Sequence, residues 1–110
     1  MAMALCRGEE LILDIVNQKA VEILGKSYDA ILNRPFFEAF PEFESQGFSE
    51  LFKDVYRSGL PYFAMEMPIQ MLRDSANETR YLNFTLQAFF DNRGNTGGIV
   101  GVAVDVTEQV

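Results

Sequence analysis

The spacing of apolar residues changes period several times along the chain, and each change marks an element. Ala2 to Cys6 is short and apolar and predicts a first strand. Arg7-Gly8-Glu9-Glu10 predicts a tight turn, with Gly8 free to adopt positive φ. Leu11 to Val16 predicts a second strand, with Leu11, Leu13 and Ile15 on one face and Asp14 on the other. Asn17 is a good helix N-cap, and Ala20, Val21, Ile23 and Leu24 follow at helical spacing. Gly25 suits the left-handed position past the helix end. Ser27 predicts a cap for a short helix through Leu32. Pro35 predicts the first position of a further helix that carries Phe36, Phe37 and Phe40 and stops at Pro41. Gln46 to Ser58 is the most amphipathic stretch, with Phe48, Leu51, Phe52, Val55 and Tyr56 as its apolar face and Gly59 as its stop.

From Tyr62 the period becomes two. Phe63, Met65, Met67, Ile69 and Met71 fall on one face, opposite Ala64, Glu66, Pro68 and Gln70. Pro68 cannot donate to a ladder, which predicts an edge strand. Asp74 to Glu78 is polar and predicts a loop. Arg80 to Phe90 alternates again, with Leu82, Phe84, Leu86, Ala88 and Phe90 opposite Tyr81, Asn83, Thr85 and Gln87. Asp91 to Asn95 predicts a hairpin loop. Ile99 to Val106 is nearly unbroken in β-branched and small residues and predicts a central strand. Gly101 and Ala103 fall on one of its faces, and Val100, Val102 and Val104 on the other. The order is two strands, several short helices and three antiparallel strands, an α+β domain with its helices segregated from a five-stranded sheet.

Composition narrows the function. The 110 residues are 48% hydrophobic, with ten Phe and five Met, enough for one domain with one core. A net charge of −7 argues against a nucleic-acid backbone or an anionic membrane surface as partner. Cys6 is the only cysteine, so no intrachain disulfide can form, which fits a reducing, cytoplasmic compartment. No apolar run approaches the length of a bilayer span, although the parent protein could be membrane-attached. The chain has no histidine, which excludes His-ligated haem and His-based acid–base catalysis.

Three motifs follow one another along the chain. Asp14-Ile15-Val16-Asn17 precedes a helix ending in Leu24-Gly25. The Gly94 turn feeds Gly98-Ile99-Val100-Gly101. The closing segment is Asp105-Val106-Thr107-Glu108. In this order the three resemble the PAS domains of bacterial sensor histidine kinases, whose D-[IV]-T-E ending the last one matches. The resemblance covers essentially residues 1–110 as a single domain excised from a larger multi-domain signalling protein. It implies the PAS fold, an antiparallel sheet of order 2-1-5-4-3 with short helices packed on one face. It also implies a sensory or interaction module that is not itself an enzyme, within a histidine kinase of a two-component phosphorelay. The flavin photosensors of the family carry a helical N-C-R-F motif, which this chain lacks. No cofactor is therefore carried over, and neither haem nor flavin is expected.

Two residue sets are candidates for function. Phe36, Phe37, Phe40, Phe52, Met65, Met67, Phe84 and Leu86 form either the lining of a small apolar ligand pocket or plain core. The core reading is favoured, because a domain of this size needs most of its large apolar residues for burial. Asp105, Thr107 and Glu108 are the candidates for signal coupling to a downstream output domain, with Asp105 a structural cap rather than a catalytic acid. The outer sheet face is expected to hold Tyr81, Phe89, Ile99, Gly101 and Ala103, and to be covered by a flanking helix or by a second copy in a homodimer. Two alternatives remain open: a stand-alone isomerase-like α+β enzyme with an apolar pocket, and a ligand-free dimerisation module.

Overall fold

The computed structural model describes residues 1–73 and 76–110. Its five strands are β1 (Ala2–Arg7), β2 (Ile12–Val16), β3 (Tyr62–Arg73), β4 (Ala76–Phe90) and β5 (Thr96–Asp105). They form one antiparallel sheet of order β2-β1-β5-β4-β3, which places the closing strand at the centre as expected. The helices α1 (Gln18–Leu24), α2 (Tyr28–Ile31), α3 (Phe36–Ala39), α4 (Pro41–Glu44) and α5 (Phe48–Ser58) all lie between β2 and β3 in sequence. A 3-10 turn, Thr107–Gln109, follows β5.

The local signals at the two ends of α1 act as read, while those of α2, α3 and α5 differ in detail. Asn17 Oδ1 accepts the Ala20 amide at 2.9 Å and starts α1, and Gly25 ends it in the left-handed region. Ser27 occupies the N-cap position of α2 without a side-chain hydrogen bond. Pro35 caps α3 from outside, and Pro41 both limits α3 and opens α4. Gln46 lies before α5, which begins after Gly47 and ends at Gly59. The segment after α2 runs along the free edge of β2: Leu13 donates to the Arg34 carbonyl at 2.9 Å and Phe36 to that of Leu11 at 2.9 Å.

Four face assignments differ from the sequence reading. In β2 the register slips so that Leu5 faces Ile15 while Cys6 faces Leu13. The extra residue is Asp14, and this bulge turns Ile15 outward, 56% exposed, and seats Val16 in the core. In β3 a second bulge lies between Ala64 and Met67, with Glu66 at φ 50. The Glu66 amide donates to Asn83 Oδ1 at 2.7 Å. The bulge inverts the alternation, so Ala64, Ile69 and Met71 are buried while Phe63 and Met65 point to the outer face. In β5, Ile99, Gly101 and Ala103 pair with Ala88, Leu86 and Phe84 and therefore share the core face, not the outer one. Phe90, after another irregularity, is 55% exposed. Of the expected 74–78 loop, Asp74 and Ser75 lie outside the described residues, and Ala76 to Glu78 belong to β4.

Between the sheet and the helices lies one core. Phe36 stacks on Phe52 with centroids 5.2 Å apart, and Phe40 stacks on Phe43 at 5.3 Å. Leu13, Ile31, Phe40, Met71 and Ile99 are its most enclosed side chains.

Candidate functional site

A cavity of about 120 Å³ opens between the core face of the sheet and the helices. Its floor is Ala2, Ala4 and Cys6 of β1 with Ile99, Gly101 and Ala103 of β5. Ala20 and Ile23 of α1 close one side, and Phe36, Phe43, Phe48 and Phe52 close another. Ile69, Met71 and Leu82 form the far wall beside Phe84 and Leu86. Burial pushes the Cys6 thiol up to about 12, so it stays protonated and serves as a small apolar wall residue.

Of the eight residues proposed from sequence, Phe36, Phe52, Phe84 and Leu86 reach this cavity. Phe37 packs behind it, edge-on to both Phe36 and Phe52. Phe40 is fully buried among Phe36 and Phe43. Met67 packs against the core, and Met65 is 76% exposed on the outer side of the β3 bulge. The small floor residues were missed, because a search for ligand contacts favours large side chains. The signal that could have found them is the run of Ala and Gly on two neighbouring strands.

The exit from β5 is a compact polar knot. The Thr107 amide donates to Asp105 Oδ1 at 2.9 Å, and the Thr107 hydroxyl donates to the same oxygen. The Tyr81 amide donates to Thr107 Oγ1 at 3.0 Å, while the Val106 amide donates to the Tyr81 carbonyl at 2.8 Å. Arg80 Nε lies 2.9 Å from Asp105 Oδ2. Burial would raise the Asp105 carboxyl, but the Thr107 hydrogen bonds and the Arg80 charge together outweigh it and hold the carboxyl below its ordinary value. Glu108 is exposed and lines a polar hollow of about 300 Å³ with Arg80, Asp105, Thr107 and Lys19 of α1. Arg80 was not foreseen, and its sequence signal is its place in the Leu82–Phe84 alternation, where an apolar residue would continue the core face.

An α+β sheet of order 2-1-5-4-3 with an apolar cavity under its helices defines a class of sensory fold. The chain belongs to the PAS domain family, whose model matches residues 1–108. It is similar to the PAS domain of Bordetella pertussis BvgS, at 20% identity and a TM-score of 0.76, covering 98% of this chain and 78% of that one. It is also similar to the PAS domain of the histidine kinase ThkA, at 20% identity and a TM-score of 0.68, covering 96% and 100%. A PAS domain from Colwellia psychrerythraea matches at 11% identity and a TM-score of 0.74, covering 97% and 86%. No curated protein matches the chain significantly. A PAS domain is typically a non-catalytic sensory module, and among the described residues no helix is long and apolar enough to cross a membrane.

Proposed function

We propose that this PAS domain is the sensor of a bacterial two-component histidine kinase, and that occupancy of its cavity is passed through Asp105, Thr107 and Glu108 to an output domain downstream. The observation that carries the reading is the double duty of β5. The strand lays Gly101 and Ala103 on the cavity floor and, two residues beyond Ala103, places Asp105 in the exit knot. A ligand that favours one position of β5 over another biases the knot in the same step, which is what a relay requires. The fold shared with a histidine-kinase PAS domain supports the choice of host. Phe36, Phe52, Phe84 and Leu86 are the proposed ligand contacts from helix and sheet. A cytoplasmic location is part of the same reading, supported by a single cysteine that can form no intrachain disulfide.

A homodimer through the outer sheet face is the second part of the reading. Met3, Ile15, Phe63, Met65 and Val104 are exposed there, a set of large apolar side chains that a second copy or a flanking helix would cover. In the full-length protein, signal-dependent autophosphorylation is compared between the parent and Asp105→Ala. Loss of the response with an intact domain supports the relay, and a normal response overturns it.

A further inference from the structure

The cavity floor has an unusual distribution of side-chain size. In β1 and β5, Ala4 pairs with Gly101 and Ala2 with Ala103, all toward the helices. At the alternate positions the same strands carry Met3, Val100, Val102 and Val104 on the outer face, and Ile99 is the one large side chain that β5 turns toward the helices. Filling a core to native density would require the reverse. Gly101 is not needed for its backbone, since it is absent from the glycines with positive φ. A Cβ added there would meet within 4 Å only Leu86 Cδ2, at 3.4 Å. The glycine therefore serves to keep space open.

The space is about 120 Å³. An engineered cavity of roughly 150 Å³ lined by Leu, Ile and Phe stays dry and binds benzene or xenon. Thr85 is the one lining residue with a side-chain oxygen, and its register opposite Phe63 and Val102 sets it on the outer face; among the described residues no polar or charged residue is buried. A carboxylate, an amide or a water inside would find almost no partner, and leaving such a group unpaired is costly.

We propose that the Ala4–Gly101 and Ala2–Ala103 pairs form the seat for one compact, uncharged molecule without hydrogen-bonding groups, of about the size of benzene, and that Gly101 sets its upper size. This rests on the reading of the cavity as the ligand site of the sensory module. The test titrates the purified chain with benzene, benzoate and xenon, following the melting temperature and the heat of binding. Benzene and xenon are expected to bind and stabilise, and benzoate is not. Gly101→Val, which fills the floor, is expected to lower benzene affinity at least about tenfold. Gly101→Ala, which adds one methyl into open space, is expected to keep xenon binding and weaken benzene, and it carries the test if the valine variant does not fold. Equal binding of benzoate, no binding of benzene by the folded parent, or full benzene affinity in the folded variants overturns the proposal. Benzene binding without any change in amide exchange at Val106 and Thr107 keeps the ligand class and overturns the relay. Loss of signalling in Asp105→Ala, with a parent that ignores benzene, keeps the relay and overturns the ligand class.

Discussion

The side-chain amide of Gln46 pairs with the main chain of Gln70 as a neighbouring strand would: Nε2 donates to the Gln70 carbonyl at 2.9 Å, and Oε1 accepts the Gln70 amide at 2.9 Å. The pairing matters because β3 is an edge strand, and unpaired edge groups invite another chain. Nε2 also donates to the Glu42 carbonyl at 2.8 Å, which fixes the amide to α4. Pro68, two residues before Gln70, has no N–H to offer. Gln46→Ala is expected to cost about 1 kcal/mol and to increase self-association. Urea melts and sedimentation velocity check both, and an unchanged sedimentation profile at high concentration would leave the edge protected by other means.

Gly98 is a second point where the sheet depends on one residue. A Cβ there would lie 2.1 Å from the Cys6 carbonyl oxygen and 2.6 Å from the Phe89 ring. The ring can move, but the oxygen belongs to the β1 ladder, where Cys6 pairs with Ile99. Gly98→Ala is expected to destabilise by about 1–3 kcal/mol, the range for overpacking that shifts backbone. Gly101→Ala, three residues on, is expected to be nearly neutral. Equal melting of the two variants would contradict the distinction between a glycine that admits backbone and one that holds space.

The elements that follow from local chemistry were legible in the sequence. Asn17, Gly25 and Gly59 bound their helices through hydrogen bonds and left-handed backbone that involve only near neighbours. The strand order came with the family resemblance. What alternation could not show is where a strand gains a residue. The Asp14 bulge reversed Ile15 and Val16, and the bulge before Met67 reversed Phe63 and Met65, because one added residue moves every later side chain to the other face. The faces of β5 were misread for another reason. Hydrophobic ranking places valine inside before glycine, and here the interior side keeps the small residues around a cavity. Half of the candidate pocket set reached that cavity, because aromatic residues mark the core without showing which of them border empty space.

Phe84 and Phe63 test these faces against each other. Phe84 is buried, with Phe48 edge-on at 6.2 Å and Tyr62 at 6.0 Å. Phe63 on the neighbouring strand is 65% exposed. Phe84→Ala is expected to cost about 3–5 kcal/mol, and Phe63→Ala within about 0.5 kcal/mol of zero. Denaturant melts of the two variants decide it, and similar losses would place Phe63 under a partner that the monomer does not supply.

Acid should release the exit knot. Asp105 is held below its ordinary value of 3.8. The folded state therefore takes up this proton less readily than the unfolded chain. The stability that follows is fully present above the unfolded value and is lost as pH falls through the lower folded value. Asp105→Asn removes the titration, so the stability gap between parent and variant should be largest near neutrality and should narrow below about pH 4. Urea melts across that range measure it, and a gap independent of pH would mean that the carboxylate charge contributes nothing at the exit.

The knot is expected to matter more for transmission than for the fold. Asp105 and Thr107 each make short hydrogen bonds, but these join β5 to Tyr81 of β4 at the end of the sheet, away from the Phe36–Phe52 cluster. Losing one cap of this kind costs about 1 kcal/mol, against a whole-domain stability of about 5–15 kcal/mol. Asp105→Ala and Thr107→Ala should therefore fold, with Asp105→Ala the more harmful because it also removes one of the two ion pairs of Arg80, leaving that to Glu78. In both, the main-chain bond from Val106 to Tyr81 remains, but side-chain bonds that fix the angle of the segment beyond it are lost, so a shift of β5 is expected to be passed on less faithfully. Hydrogen exchange should rise at Thr107 to Gln109 while the β4–β5 ladder stays protected. In the full-length protein, output should stop responding to the signal, whether fixed high or low. Melting and signal-dependent autophosphorylation are measured on the same variants. A normal response in both would remove these residues from the relay, and global unfolding in either would make its role structural.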